Sequence, residues 1–455
     1  MDSVTKIRKG LNISIQGSSA QTIEEALDVA FYAVKPDDYV GFTPRLLVGE
    51  GNTVAAGTPL LADKKDPRMQ LCSPVAGTVE AVVRGEKRHI EAVTIRSAKP
   101  QPTPTQYPDL GSASREELTA TLMACGLWPM LRQRPFGTIA NPHKQPKALF
   151  ISCFDTAPLA PDYDFILQNR QEDFLKGLHT LQRLTDAPLH LSFSPQQHIA
   201  TLSYPDRCIK HTFCGPHPAG NVGTQIAHID PINKGDIVWT VNPQDVCVLG
   251  NFMLTGALAP WKLVAFAGPS AAHPCYYRLT CGASIESIVA RQCPDPGNLR
   301  FVSGNVLSGT RIQSNGFLSA ADSLISVLPE GNDYEFMGWL RPGLHKFSAT
   351  RTFLSGFRSK ETTNTTSHLH FDTNLHGGVR PMVFGELWER LMPFDIYPMP
   401  LLKAATVGDI DLMEQLGILE LEPEDIALCE FADTSKTELQ VLLRQSLELI
   451  RASQS

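Results

Sequence analysis

Two short stretches carry side chains suited to gripping a flat ring with carbonyl groups. Gly126-Leu127-Trp128-Pro129-Met130-Leu131-Arg132-Gln133-Arg134-Pro135-Phe136 sets two guanidinium groups among aromatics. Tyr39-Val40-Gly41-Phe42-Thr43-Pro44-Arg45 offers a similar mixture. A quinone headgroup needs hydrogen-bond donors at its carbonyls and an apolar or aromatic slot for its ring. Arg132, Arg134, Phe136, Tyr39 and Phe42 are therefore the candidate quinone contacts. The same residues equally suit a packing element between domains, and the sequence leaves both readings open.

Gly215-Pro216-His217-Pro218-Ala219-Gly220-Asn221-Val222-Gly223-Thr224 is the most constrained stretch of the chain. Its prolines and glycines impose an unusual backbone path, and free amides there suit an anion or a carbonyl. Gly215, His217 and Gly220 mark a possible ligand loop; the alternative is a rigid structural turn. Ser303-Gly304-Asn305-Val306-Leu307-Ser308-Gly309-Thr310 imitates a phosphate loop but lacks the lysine that grips phosphates, so nucleotide hydrolysis is rejected. No G-x-G-x-x-G follows a strand, so tight binding of a dinucleotide is unsupported as well. His368-Leu369-His370 with His376 has metal-like spacing, yet a polar surface loop accounts for it better, and no metal is expected. Asp63-Lys64-Lys65-Asp66 lies in a charged turn where Lys64 or Lys65 could carry biotin or lipoate; a solvated hairpin is the simpler reading.

The elements that must position these residues belong to a chain of 455 residues, long enough for three or four domains. Apolar residues at 42% and charged residues at 19% describe globular protein and exclude a disordered chain. A formal charge of -7 gives no electrostatic support for nucleic acid. The beginning of the chain lacks a signal peptide's apolar core. The most apolar stretch, Val246 to Ala272, is broken by Asn251, Pro260 and Lys262, so no transmembrane segment is expected. The ten cysteines form no C-x-x-C pair, which argues against an iron–sulfur cluster or a zinc ribbon and for reduced thiols.

Proline-rich residues 100–108 form a linker. Before it, at 1–99, glycine and proline punctuate short valine runs in a G-x-x-V-x-x-G-x-x-L … S-P-V-x-G-x-V pattern. That pattern resembles the barrel-sandwich hybrid of biotinyl and lipoyl carriers. After the linker, Ser114-Arg115-Glu116-Glu117 is a capping box opening a helix that Gly126 closes. Strand patterns at Leu149 to Phe154, Leu189 to Leu191 and Ile237 to Val241, with a helix from Glu172 to Leu184, give an α/β layer domain over 109–260. Residues 261–329 read as a small α+β module. Residues 330–455 turn helical at the end, with Leu412 to Leu419, a helix opened by Pro423, and a second capping box at Ser435 to Glu438. The last helix carries Leu439, Leu442, Leu443, Ser446, Leu447 and Ile450 as a core stripe.

Taken in order, several of these stretches resemble the A subunits of sodium-translocating NADH:quinone oxidoreductases over nearly the full chain. The resemblance rests on Lys9-Gly10-Leu11, Tyr39-Val40-Gly41, Asp63-Lys64-Lys65, Ser73-Pro74-Val75, Gly126-Leu127-Trp128, Arg134-Pro135-Phe136 and Gly215 to Gly220. It continues through Gly282-Ala283-Ser284, Ser303 to Thr310, Lys346-Phe347-Ser348 and Glu424 to Cys429. It implies a multidomain α/β and β protein: a barrel-sandwich hybrid, a Rossmann-like domain resembling the flavin subunit of respiratory complex I, an SLBB-like β-grasp module and a helical C-terminal region. It implies a peripheral subunit on the cytoplasmic side of the bacterial inner membrane, inactive alone. Its partners would be the B to F subunits, especially the membrane subunit with the quinone site. FMN, riboflavin, 2Fe-2S and NADH would be handled by those other subunits, with ubiquinone as this chain's own possible ligand. The family often carries a second cysteine just after Cys429, where this chain has Glu430.

Overall fold

The computed structural model describes residues 4–25, 28–332, 335–338, 340–343, 346–347, 349, 353–357, 371–382 and 385–454. His368, His370 and Ser348 lie outside the described residues.

The largest sheet has seven strands. At its centre Cys208–Cys214, Leu189–Phe193, Ala148–Ser152 and Val238–Thr240 run parallel in that spatial order. The chain starts in Ala148–Ser152, steps outward twice, then returns to the opposite side of that strand. Such a reversal opens a crevice at the carboxyl ends of the strands. Leu149, Phe150 and Ile151 are all fully buried, as a continuous apolar run in a sheet covered on both faces must be. Gln171–Leu184 and Pro243–Thr255 cover one face. Glycines let them touch: a Cβ on Gly177 would fall 2.0 Å from the Val246 carbonyl. Val222–Ile229 covers the other face, with Ile226 packed against Phe150.

A six-stranded sheet follows, in the order Thr310–Ile312, Leu299–Ser303, Leu324–Pro329, Trp261–Ala267, Cys275–Thr280 and Ile23–Glu24. The helix Glu286–Gln292 packs on it through Ile288 and Val289. A four-stranded and a three-stranded sheet enclose Leu60, Leu61, Leu71, Val79, Val93 and Ile95, all buried, as the barrel-sandwich pattern requires. Five helices between Glu386 and Ser453, among the described residues, surround a core of Trp388, Leu401, Met413, Leu443 and Leu447.

Four details depart from the sequence expectations. Val4–Lys6 pairs with Cys208–Cys214, and Ile23–Glu24 with Cys275–Thr280, so the first residues close the edges of two other sheets. An open edge exposes unpaired N–H and C=O groups, which favours such capping. The proline-rich linker is held down: the Tyr107 amide donates to the Gly256 carbonyl (2.7 Å), and the Tyr107 ring packs edge-on against Phe252. No capping box forms at Ser435. The Asp433 carboxylate accepts from the Ser435 and Thr437 amides instead, and the helix begins at Leu439. Finally, Leu412 to Leu419 is not one helix; Ile410–Gln415 ends before a separate turn at Ile418–Glu420, because Gly417 is left-handed (φ 88).

Candidate ligand site at the carboxyl edge of the parallel sheet

Three parallel strands end side by side at Ser152, Phe193 and Cys214. Beyond their carboxyl ends lies a cavity of about 360 Å³, lined by Phe154, Asp155, Tyr163, Ser194, Gln197, Phe213 and Gly215 among others. Its far wall is the start of the helix Tyr163–Gln168, capped by Asp162.

The Gly215 to Gly220 loop forms one side. Gly215 has φ +146, and a Cβ there would fall 2.3 Å from the Ile7 carbonyl oxygen. A Cβ on Gly220 would fall 2.6 Å from the Thr156 nitrogen, so only glycine lets the loop lie against Asp155 and Thr156. The Gly220 amide donates to Thr156 Oγ1 (2.9 Å), and Ser152 Oγ donates to the Gly220 carbonyl (2.9 Å). His217 is buried, its Nδ1 3.2 Å from Thr156 Oγ1, and burial pushes its imidazole down to about 4. Gly215 therefore reaches the cavity, while His217 and Gly220 brace the loop from behind.

Asp155 is one of the two carboxyls in this lining, with Asp162. Burial raises the Asp155 carboxyl above the usual range; the Ala157 and Thr156 amides oppose this, and Glu424 adds to it. Its Oδ1 accepts from the Ala157 amide (2.8 Å). Phe154, Tyr163 and Phe213 lie in the wall but are buried, showing only their edges, and Gln197 is held in place by the Cys153 carbonyl and the Ser194 amide (both 2.8 Å). No cationic side chain is among the lining residues, so a phosphate finds no counter-charge here.

The structure separates the five sequence-predicted quinone contacts. Arg134 is buried, with Nη1 2.8 Å from Asp425 Oδ2 and Nη2 2.7 Å from Glu424 Oε1. Phe136 stands at the tip of the hairpin formed by Arg132–Arg134 and Thr138–Ile139, packed on the C-terminal helical core. Arg134 is thus ion-paired within the chain, and Phe136 is half-buried against that core. Phe42 is buried in the core beneath the barrel-sandwich. Arg132 is exposed; desolvation first and Asp38 second push the phenol of the half-buried Tyr39 well up, and Arg132 opposes them weakly. Tyr39 borders a second cavity of about 50 Å³ with Cys72, Cys125 and Cys281. A benzene-sized ring needs roughly 150 Å³, so that space is too small for a quinone.

The remaining motifs resolve locally. Lys64 and Lys65 are exposed at the turn between Pro59–Asp63 and Gln70–Cys72. In the 303–310 loop, Asn305 Oδ1 accepts from the Leu307 and Ser308 amides, so its own side chain fills the place of a phosphate. His376 lies 3.7 Å from Asp372, and no cluster of three metal-ligating groups occurs among the described residues. Asp155 escapes sequence reading because nothing in Cys153-Phe154-Asp155-Thr156 signals a cavity; only its place after a central parallel strand does.

The domains are those of a known family. The descriptions "NqrA N-terminal barrel-sandwich hybrid domain", "NqrA second alpha/beta domain" and "NQRA C-terminal domain" match residues 5–98, 113–258 and 263–314. The A subunit of the Na(+)-translocating NADH-quinone reductase of Yersinia pseudotuberculosis serotype O:1b is 37% identical over 449 residues, covering 98% of this chain and 99% of that one. Its counterpart in Serratia proteamaculans is 38% identical over 452 residues, covering 98% and 99%. That of Rhodopirellula baltica is 37% identical over 456 residues, covering 98% of each. This chain belongs to the family of Na(+)-translocating NADH-quinone reductase A subunits. The relatives' names describe one component of a larger reductase. No described helix is long and apolar enough to cross a membrane.

Proposed function

We propose that this chain is a peripheral subunit of an NADH:ubiquinone oxidoreductase that exports sodium, and that it receives the quinone ring in the cavity beside Asp155. The relatives' names carry the complex; the cavity carries the ligand. Its volume of about 360 Å³ exceeds what a substituted benzoquinone ring requires. In its protonated form Asp155 would donate to one carbonyl, with the edges of Phe154 and Tyr163 beside the ring. NADH oxidation and the FMN, riboflavin and 2Fe-2S centres belong to partner subunits in this reading. The chain would dock on the quinone-site membrane subunit from the cytoplasmic side of the bacterial inner membrane.

The test is titration of the purified full chain with a short-chain ubiquinone, followed by calorimetry. Asp155→Ala should weaken binding by about tenfold, the worth of one hydrogen bond of roughly 1.4 kcal/mol, and Phe154→Ala should weaken it too. Unchanged affinity in both variants would remove quinone from the cavity. The exposed Lys64 and Lys65 leave the carrier reading open to a separate check: an intact mass carrying a biotin or lipoate increment would favour it.

A further inference from the structure

The tip of the Arg132–Ile139 hairpin plugs into the start of the helix Pro423–Ala432 and the side of Leu439–Ser453. Glycines make room: a Cβ on Gly137 would fall 2.4 Å from Glu422 Oε2, and one on Gly223 would fall 2.3 Å from Asp425 Oδ1. Arg444 Nη1 donates to the Phe136 carbonyl (2.7 Å) and Nη2 to Glu422 Oε2 (2.9 Å).

The charges in this joint do not balance. Glu422, Glu424 and Asp425 face two guanidinium groups, Arg134 and Arg444. The Glu424 side chain is 45% exposed, so water supports its charge; that of Asp425 is 0% exposed. Asp425 Oδ2 accepts from Arg134 and from the Glu422 amide (2.9 Å), whereas Oδ1 is buried with no donor, as is Glu422 Oε1. A buried anionic oxygen without a donor is costly. A proton on that oxygen cancels the surplus charge and restores neutrality.

We propose that Asp425 holds a proton at the neutral joint, and that losing it loosens the docking of the C-terminal helices on the hairpin. Every packed element contributes its charges: Arg134 from the hairpin, Arg444 from the last helix, and Glu422 and Glu424 beside Asp425 itself. The helix Val222–Ile229 offers only Gly223 and the Asn221 side-chain amide, which donates to the Glu424 carbonyl. The preceding turn offers Glu420, whose carbonyl accepts from Arg134. Asp155, across the joint, feels Glu424. Burial lifts the Asp425 carboxyl to about 7, against Arg134 and with help from Glu424. In the opened joint Asp425 would meet water and titrate near 4. Opening therefore releases a proton between those limits, and the closed joint weakens as pH rises through that window.

Hydrogen exchange of the full chain, corrected for intrinsic rates, reads this directly. Between about pH 5 and about pH 7, protection of Pro423–Ala432 should fall by up to roughly tenfold per pH unit. His217, pushed down by burial, has the opposite sign, whereas Glu420, Glu422 and Glu430, pushed up by burial, share the sign of Asp425. Asp425→Asn should make the fall clearly shallower, leaving only what those glutamates contribute. Glu424→Gln removes a like charge, so the fall should end at lower pH. Should Asp425→Asn fail to fold, the Glu424→Gln displacement decides. A slope as steep in Asp425→Asn as in the parent chain, or one that stays in place in Glu424→Gln, overturns the proposal.

Discussion

Lys262 Nζ lies 2.7 Å from Asp245 Oδ1, and the two side chains are only 1% and 7% exposed. The pair bridges the helix Pro243–Thr255 and the strand Trp261–Ala267 of the six-stranded sheet, with Nζ also donating to the Ala320 carbonyl (2.6 Å). Removing one partner strands a buried charge, which costs about 3–5 kcal/mol. Lys262→Met should lower the urea midpoint accordingly, and Lys262→Met with Asp245→Leu should regain most of the loss. Additive losses in the double variant would contradict this.

The capping box at Ser114 is formed: the Glu117 amide donates to Ser114 Oγ (3.2 Å), and the Ser114 amide to Glu117 Oε2 (2.8 Å). Ser114→Ala should destabilise the chain by about 1 kcal/mol, visible as a lower melting temperature. Ser435→Ala should have little effect, because Asp433 accepts from the Ser435 backbone.

His190 is stacked between Phe150 and His211, its Nδ1 2.8 Å from His211 Nε2. Burial first, and His211 second, push its imidazole down to about 4 from an ordinary 6.5. The unfolded chain thus takes up the proton first, so stability is full above about pH 6.5 and drains away towards about pH 4. His211, also pushed down by burial, acts in the same direction. Urea midpoints should drop across that window, and His190→Phe should flatten the drop. An equal drop in the variant would assign it elsewhere.

Gly220 tests the cavity wall. A Cβ would meet the Thr156 nitrogen at 2.6 Å, forcing the loop away from Asp155. Gly220→Ala should cost about 1–3 kcal/mol and weaken quinone binding at the Asp155 cavity. Intact quinone affinity would separate the loop from the ligand site.

Local physics makes much of this molecule legible. Leu149, Phe150 and Ile151 form an unbroken apolar run, and such a run has few homes other than a doubly covered parallel strand. Ser114 and Glu117 announce a helix start because both hydrogen bonds close within one turn. The neighbouring strand Cys208–Cys214 is invisible by the same rule: Lys210, His211 and Thr212 interrupt its pattern, and its place comes from pairing with Leu189–Phe193.

The order of the units, the core-facing stripes, the missing phosphate-gripping lysine and the missing dinucleotide fingerprint are all written in the residues themselves. Those are statements about side-chain type and short-range spacing. Folding had to settle that Arg134 spends its charge on Asp425, 291 residues away, and that Asp155 rather than Arg132 borders a ring-sized space. A guanidinium or a carboxyl takes its role from the charges and voids brought around it. Those neighbours are gathered by long-range packing that no local pattern encodes.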